Sequence, residues 1–348
     1  MYKKIFMGIA AAAALTLVSC SSDDLNSLSD NSSKNEAISF DGYLGRSAVS
    51  VNGSRGSVLD KDALQKSDKG FGVFGNYSKN SEGTIHAYGE NLFKNQQVTY
   101  SSVDTKWKYS PLKYWSTQGH IDFLAYAPYV NGTKLTDSKI NFEVVNTVAD
   151  QKDLLWANAK NQTMDKNPVK FTFNHALAKI GYAVKKGVAD DNVTITLNNI
   201  TLAGSATDPT KGAFYTTGTI NLSKELSNAE DPTALWTDCK GEQHFTWSSG
   251  FPNVTSSSLA GSDYLFVIPQ NFSTGKLYVI VDYTISYNDG VTAEMKSTVS
   301  SPIVKNFEQG KAYTINLTIG LTKIDFDVTD VNVWQEDDNN NIGIDSWN

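Results

Sequence analysis

The stretch with the clearest structural signal is Lys276-Leu-Tyr-Val-Ile-Val-Asp-Tyr-Thr-Ile-Ser-Tyr287, followed by Asn288-Asp-Gly290 and Val291-Thr-Ala-Glu-Met-Lys-Ser-Thr-Val299. Both flanking runs have the composition of β-strands. Asp-Gly between two such runs predicts a hairpin, because a type I′ turn needs positive φ at both central residues. The chain is therefore expected to contain at least one long antiparallel strand pair.

Strand patterns recur outward from this hairpin. Val193-Thr-Ile-Thr-Leu197 alternates with its apolar residues on one face, and His120-Ile-Asp-Phe-Leu-Ala-Tyr-Ala-Pro-Tyr129 alternates in part. Ala312-Tyr-Thr-Ile-Asn-Leu-Thr-Ile319 is a further predicted strand. The short helix candidates are Lys61–Ser67 and the turn around His175. Many strands separated by polar turns favour an all-β fold of the sandwich type with few short helices.

The start of the chain has the features of a lipoprotein signal. Two lysines precede an apolar run, Ile5–Val18, which is shorter than the roughly 20 residues of a membrane-spanning helix. Cys20 follows Leu17-Val18-Ser19, as in bacterial lipoproteins whose cysteine takes a diacylglyceryl group. We predict removal of residues 1–19 and lipidation of Cys20, which places the protein on the surface of the outer membrane. The alternative is an ordinary signal peptide with an incidental cysteine.

Charge and cysteine content limit the partners and the source of stability. The net charge is −7, and loss of Lys3 and Lys4 with the signal peptide makes it −9. So acidic a chain is not expected to bind nucleic acid through its phosphates. If Cys20 carries lipid, Cys239 has no partner within the chain. The stability must then come from apolar cores rather than from disulfides.

The length predicts more than one domain, because single cores stop growing at about 250–300 residues. Residues just after Cys20 are rich in Ser, Asp and Asn and are predicted to form a disordered tether. Polar clusters interrupt the strand patterns near residues 185–192. The predicted organisation is a signal peptide (1–19), a tether (20–36), an N-terminal β-sandwich (37–187), a C-terminal β-sandwich (188–334) and a polar tail (335–348).

The sequence carries no motif for catalysis, and no cofactor or metal is expected. Its histidines are not spaced as metal ligands, and no pattern of His or Asp beside Cys239 indicates a nucleophile. Gly70-Phe-Gly-Val-Phe-Gly75 matches G-x-G-x-x-G, but apolar residues interleave the glycines and no helix follows. A β-strand is therefore favoured over a nucleotide site.

A group of aromatic residues offers a candidate binding surface, namely Trp107, Tyr109, Tyr114 and Trp115. They could form a platform for a sugar ring. At strand spacing such residues more often belong to the core, which is the favoured interpretation.

Both arginines of the chain lie close together. Of 30 basic residues, Arg46 and Arg55 are the two arginines, and the segment around them is rich in Gly and Ser. Such a segment is typical of an exposed, protease-sensitive loop. Taken alone, the pair is better explained by chance clustering in a lysine-rich chain.

A set of short motifs follows in order along nearly the whole chain. The most specific is Val169-Lys-Phe-Thr-Phe-Asn-His175-Ala-Leu-Ala-Lys-Ile180. The others are the lipoprotein signal, Ile38-Ser-Phe40, Lys113-Tyr-Trp115, Ile121-Asp-Phe-Leu-Ala-Tyr-Ala-Pro128, Asp153-Leu-Leu-Trp-Ala157, Gly310-Lys-Ala-Tyr-Thr-Ile-Asn-Leu317 and Val331-Asn-Val-Trp334. Together they resemble the fimbrillin-like family, the pilins and accessory subunits of type V pili in Gram-negative anaerobes.

This resemblance implies two β-sandwich domains of transthyretin-like topology. It also implies that polymerising members are cut after an arginine behind the first strand, and that an extended segment of a neighbouring subunit fills the groove. In this sequence the removable strand would lie near Ala37–Leu44, and the cut would follow Arg46 or, alternatively, Arg55. The donor segment would lie within Ala312–Val333. His175 would be a buried or hydrogen-bonded core histidine.

The predicted function is that of a structural, adhesive subunit of a type V fimbria without enzymatic activity. Its predicted partners are other fimbrial subunits through strand addition, the outer membrane through the lipid, and a host surface protein or glycan. Stalk, tip and anchor roles stay open. The alternative is a surface lipoprotein that binds glycans through Trp107 or Trp115. A glycosidase with paired carboxylates is a third hypothesis.

Overall fold

The computed structural model of the chain describes residues 36–44, 59, 61–79, 92–225, 235–248, 250–291, 294–321 and 324–331. Within these residues, helix α1 spans Lys61–Lys66 and nearly all other regular structure is β. In chain order the strands are β1 (Phe40–Leu44), β2 (Phe71–Ser78), β3 (Phe93–Ser101), β4 (Lys106–Lys108), β5 (His120–Ala127), β6 (Lys139–Glu143), β7 (Leu155–Gln162), β8 (Val169–His175), β9 (Ala178–Lys186), β10 (Val193–Ala203), β11 (Thr217–Asn221), β12 (Trp236–Lys240), β13 (Phe245–Trp247), β14 (Leu259–Ala260), β15 (Leu265–Val267), β16 (Gln270–Asn271), β17 (Leu277–Tyr287), β18 (Met295–Ile303), β19 (Asn306–Phe307), β20 (Ala312–Ile319) and β21 (Ile324–Val331).

The largest sheet has seven strands in the order β1-β8-β7-β5-β2-β3-β4. Its pairs are antiparallel except β1 with β8, which run parallel. The sheet curls, so that its edge strands β1 and β4 approach each other. This curl encloses one face of the sheet around an aromatic interior.

The remaining strands form smaller sheets. One has the order β13-β10-β17-β18, and a second has the order β14-β9-β20-β21, with β15 also pairing with β9. In the second, β9 and β20 run parallel and β20 and β21 antiparallel. Two more sheets have the orders β12-β11-β6 and β16-β19. Strand β21 therefore lies at the edge of its sheet, and β20 lies in the interior.

Two hydrophobic clusters divide the core. The first contains Phe71, Phe123 and Phe171 on the enclosed face of the large sheet. The second includes Phe74 and Leu124 from the opposite face of the same sheet. Because successive side chains of a strand point to opposite faces, β2 and β5 contribute to both clusters and are buried almost throughout. That is why the sequence of β5 alternates only in part.

The all-β prediction is confirmed, as are α1 and a strand at the G-x-G-x-x-G match, where β2 runs from Phe71 to Ser78 and Gly70 precedes it. In β10, Val193, Ile195 and Leu197 are buried while the threonines between them are partly exposed, as their alternation predicts. Strand β6 pairs with β11, which joins segments on either side of residue 188. The boundary at 187/188 and the transthyretin-like topology stay predictions.

Two local predictions were wrong. The strand after the Asp-Gly turn spans Met295–Ile303 and does not include Val291, whose N–H donates to Asp289 Oδ1. The turn is not of type I′, because Gly290 has a φ of 70° but Asp289 does not have a positive φ. The turn at His175 is not helical. There the backbone of Ala176 and Leu177 bonds to Leu154 and Gly310 of neighbouring segments instead of closing a helical turn.

Candidate functional site: the groove of the first strand

The first described segment, residues 36–44, is an extended strand inserted into the apolar interior of the large sheet. Ile38 and Phe40 are 1% and 4% exposed, and Gly42 is also buried. Asp41 between them is exposed. This alternation is the period-2 pattern of a strand with one buried face. Strand β1 therefore fills a groove in the protein, which we call the β1 groove.

Phe40 is the central apolar contact in the β1 groove. Its ring lies with centroids 5.4–6.4 Å from five aromatic rings, mostly in edge-to-face geometry; these belong to Phe71, Phe93, Tyr109, Phe123 and Phe171. Aromatic pairs in this range add stabilisation beyond the area that they bury. Phe40 thus connects the sheet edge at β8 to rings from four other segments.

Gly42 lies where the groove narrows. A Cβ atom built there would meet Phe173, Phe71 and the indole nitrogen of Trp107 at 3.4–3.6 Å. These are ordinary van der Waals distances, so a methyl group fits, but no space remains beyond it. The residue at this position must therefore be small.

We expect Gly42→Leu to lower the free energy of unfolding by about 1–3 kcal/mol, because overpacking a filled core forces neighbouring side chains from their rotamers. Gly42→Ala is the matched control and should stay close to wild type. Urea denaturation of the full chain measures both. A leucine variant as stable as the alanine variant would show that the groove is wider than these distances indicate.

Hydrogen bonds hold the segment on both flanks. Strand β1 pairs with β8 from Phe40↔Val169 to Leu44↔Phe173. Upstream, the Ile38 N–H donates to Lys113 O and the Trp115 N–H donates to Glu36 O, both at 2.9 Å. The groove thus lies between β8 and the segment from Tyr109 to Trp115.

The aromatic group proposed as a sugar platform belongs mainly to this groove. Trp107 and Trp115 are 7% and 3% exposed, and Tyr109 is partly buried with a raised pKa caused by burial. Tyr114 is the exposed member of the four, at 53%. The core interpretation is therefore confirmed for Trp107 and Trp115 and is wrong for Tyr114, and the glycan-binding alternative loses the two tryptophans on which it depended.

The predicted modification sites lie outside the described residues. These are Cys20, the predicted lipidation site, and Arg46 and Arg55, the alternative cleavage sites. The predicted polar tail at 335–348 also lies outside the described residues. The described chain stops at Leu44 and resumes with Leu59, whose side chain is buried in the first cluster. Both arginines therefore fall in the connection that follows β1.

The predicted donor region contains two strands with different surroundings. Strand β20 pairs on both sides, whereas β21 pairs only with β20 among the described strands. In β21, Ile324 is buried, Phe326 and Val328 are partly exposed, and Asp325 and Asp327 are exposed. An edge strand can leave a sheet without breaking pairs on two sides. Strand β21 is therefore better placed than β20 to leave its sheet.

A buried polar cluster lies at the end of β8. His175 is 3% exposed, as predicted, and its Nδ1 lies 2.5 Å from Asp153 Oδ2. Lys179 is 1% exposed, and its ammonium group lies 3.9 Å from the centroid of the Tyr264 ring. Burial lowers the pKa of Lys179 to about 8, although Asp153 opposes this shift. The cluster links β8 and β9 to the segments that precede β7 and β15.

Chemical sites are sparse in the described part of the chain. No group of three or more potential metal ligands occurs among the residues searched there. Cys239 is a half-buried free thiol whose pKa is raised by burial. Within the described ranges, no helix is long and apolar enough to span a membrane.

Sequence reasoning missed the polar end of the β1 groove, where Asn167 and Tyr109 bind the backbone of the first segment. The local sequence carries no signal for it, because the Asn167 side chain takes this role only where its own N–H is bound to Met164 O, at 3.2 Å.

Comparisons with known proteins agree with this architecture. A family model described as fimbrillin-like matches residues 58–334. The fold is similar to a fimbrial protein from Bacteroides vulgatus, with TM-score 0.65, 22% identity and coverage of 86% of this chain and 100% of that one. A candidate cell adhesion protein from Bacteroides ovatus has TM-score 0.50 and 15% identity over 86% and 98% of the two chains.

At these identities the structural likeness shows the fold alone. A search of curated proteins found no match. The family model covers well over half of the 348 residues. The chain therefore belongs to the fimbrillin-like family.

Proposed function

We propose that this protein is a structural, adhesive subunit of a type V fimbria that catalyses no reaction. In this proposal it is exported as an outer-membrane lipoprotein with lipid on Cys20, is cut after Arg46, and assembles with other subunits by strand exchange. The observation that carries the proposal is β1 itself. This short segment is the first described part of the chain and has three buried positions in a groove formed by residues that follow it in the sequence.

The position of Arg46 suits such a cut. It lies two residues beyond Leu44, the last residue of β1. Cleavage there would separate the lipid, the tether and the whole of β1 from the rest of the chain in one step. Arg55 lies further along the same connection, before Leu59, and is the alternative.

Removal of β1 would leave an unfavourable surface. Its groove is lined by Phe71, Phe93, Phe123 and Phe171, whose rings contact Phe40 in the intact chain. Loss of β1 would also leave the edge of β8 without the strand that it pairs with in the intact chain. An added strand would cover the apolar rings and satisfy the backbone groups of this edge, which is the basis of recognition by β-augmentation.

The sequence of β21 supports its assignment as the donor. Ile324-Asp-Phe-Asp327 repeats the Ile-x-Phe-Asp pattern of Ile38-Ser-Phe-Asp41 in the first strand. Phe326 is also more exposed in its own sheet than Phe40 is in the groove. A second copy could therefore place Ile324 and Phe326 in the sites of Ile38 and Phe40. Release of β21 from β20 is the opposing cost.

Cleavage and assembly can be tested together. The full precursor is treated with an arginine-specific protease, the new amino terminus is sequenced, and the oligomeric state is followed by size-exclusion chromatography and electron microscopy. We expect a new terminus at Ser47 and oligomers only after cutting. Arg55→Lys should behave as wild type, whereas the double variant Arg46→Lys/Arg55→Lys should stay intact and monomeric.

Two results would contradict the proposal. A wild-type precursor that resists cleavage and stays monomeric would exclude a polymerising subunit. Oligomers that form equally from the double variant Arg46→Lys/Arg55→Lys would show that release of β1 by cutting is not required.

A further inference from the structure

The upstream half of the first segment is bound through its main chain at the polar end of the β1 groove. The Ser39 N–H donates to Asn167 Oδ1 at 2.9 Å, and Asn167 Nδ2 donates to Ala37 O at 3.1 Å. On the other flank, the Tyr109 hydroxyl donates to Ile38 O at 2.7 Å. Three consecutive residues of the strand are thus bound by two side chains.

Asn167 continues the edge of β8 beyond its first residue. The Val169 N–H donates to Ser39 O at 2.8 Å. Because alternate residues of a strand bond to the same neighbour, the next donor upstream would be the Asn167 N–H, but that group donates to Met164 O at 3.2 Å. The amide of Asn167 presents a donor and an acceptor side by side, as a backbone edge does. It thereby replaces the missing part of the ladder.

Most of these contacts do not depend on the sequence of the bound strand. Side-chain contacts to Asn167 come only from Ser39 Oγ, at 3.0 Å from Oδ1, and from the Glu36 carboxylate, at 2.6 Å from Nδ2, among the described residues. The others use main-chain N–H and C=O groups, which any extended peptide carries. Asn167 and Tyr109 lie at fixed positions relative to the sites of Ile38 and Phe40, so their hydrogen bonds determine the register of the strand.

We propose that Asn167 and Tyr109 form a main-chain clamp that docks and registers whichever strand occupies the β1 groove. The clamp holds β1 in the precursor. It holds the main chain of a strand from a second copy after cutting, a role that rests on the function proposed above. Both are positioning residues: they bind the main chain of the strand, whereas the sites occupied by Ile38 and Phe40 select its side chains.

The first test uses the intact chain and does not depend on cleavage. Hydrogen exchange measured by mass spectrometry reports the opening of residues 36–44. We expect Asn167→Ala to speed this exchange about tenfold, and Tyr109→Phe about three- to tenfold, because each removes one or more hydrogen bonds. Exchange in β17 should stay unchanged, which would show that the fold is intact.

Matched controls separate the clamp from general destabilisation. Asn174→Ala removes an amide on the same strand whose hydrogen bond goes to Thr172 O. Tyr77→Phe removes a hydroxyl that donates to Gln118 O outside the groove. Neither should change exchange in residues 36–44. If Asn167→Ala behaves like Asn174→Ala, the clamp is excluded.

The second test asks whether the clamp accepts a different strand. Peptide 324–331 is titrated onto the protease-cut chain, with and without an ester that removes the Asp325 N–H, which is the counterpart of the Ser39 N–H. We expect the ester to weaken binding to wild type about fivefold and to have no further effect on Asn167→Ala. Equal losses in both proteins would overturn the clamp for incoming strands.

The two proposals fail in different ways. If peptide 324–331 does not bind the cut wild-type chain, the assignment of β21 as donor is contradicted. The exchange of residues 36–44 in the intact chain still decides whether Asn167 and Tyr109 hold the strand in the groove.

Discussion

Phe40→Ala is expected to lower the free energy of unfolding of the full precursor by about 3–5 kcal/mol, the range for deleting a buried phenylalanine. The reason is that Phe40 is 4% exposed and its ring contacts five other aromatic rings. Alanine would leave a cavity between rings that belong to separate segments. Urea denaturation, followed by tryptophan fluorescence, measures the loss.

Two companion variants make this result specific. Phe40→Leu should recover much of the loss, because it keeps most of the buried apolar volume. Asp41→Ala changes an exposed neighbour on the same strand and should shift stability by less than about 0.5 kcal/mol. A Phe40→Ala protein as stable as Asp41→Ala would contradict the role of Phe40 as the central contact of the groove.

The second large effect concerns Lys179 and alkaline pH. Its folded-state pKa of about 8 lies below the ordinary value of 10.5, so the unfolded chain binds more protons between these two values. Stability therefore rises with pH through this window. The full shift of 2.5 corresponds to about 3 kcal/mol, most of it gained between pH 8 and 10.

The measurement is the difference in unfolding free energy between wild type and Lys179→Met at pH 7–9.5. We expect this difference to move in favour of wild type as the pH rises. Lys185→Met, an exposed lysine on the same strand, is the control and should show no such trend. The range stops below pH 10 because burial raises the pKa of Tyr264 to about 12, and its unfolded-state ionisation then lowers stability. If the difference in unfolding free energy between wild type and Lys179→Met does not change with pH, the lowered pKa of Lys179 is contradicted.

For a fimbrial subunit, these two sites have different consequences. The Phe40 contacts belong to the part of the chain that is lost on cutting in the proposed maturation. Lys179 and His175 lie at the junction of β8 and β9, which every form of the subunit would keep. Changes at Phe40 should therefore act on the precursor, and changes at Lys179 on precursor and cut subunit alike.

Individual strands were predictable because alternation is a local property. Val193, Ile195 and Leu197 indicated one buried face of β10 from the sequence alone, and β20 was located in the same way. The order of the motifs also indicated the family correctly. The Asp289-Gly290 turn was found, but its type was not, because Asp289 does not have the positive φ that a type I′ turn needs.

The pairing of strands and the polar end of the groove depend on contacts between distant residues. Phe40 meets Val169, and Ser39 meets Asn167, across more than 120 positions of sequence. No local pattern encodes such a pair, because the energy that selects it comes from apolar rings and backbone groups brought together by the whole sheet. The chain alone therefore specified which residues form strands and which faces are apolar. Only the folded sheet decided that the first strand lies in an aromatic groove, held by Asn167 and Tyr109.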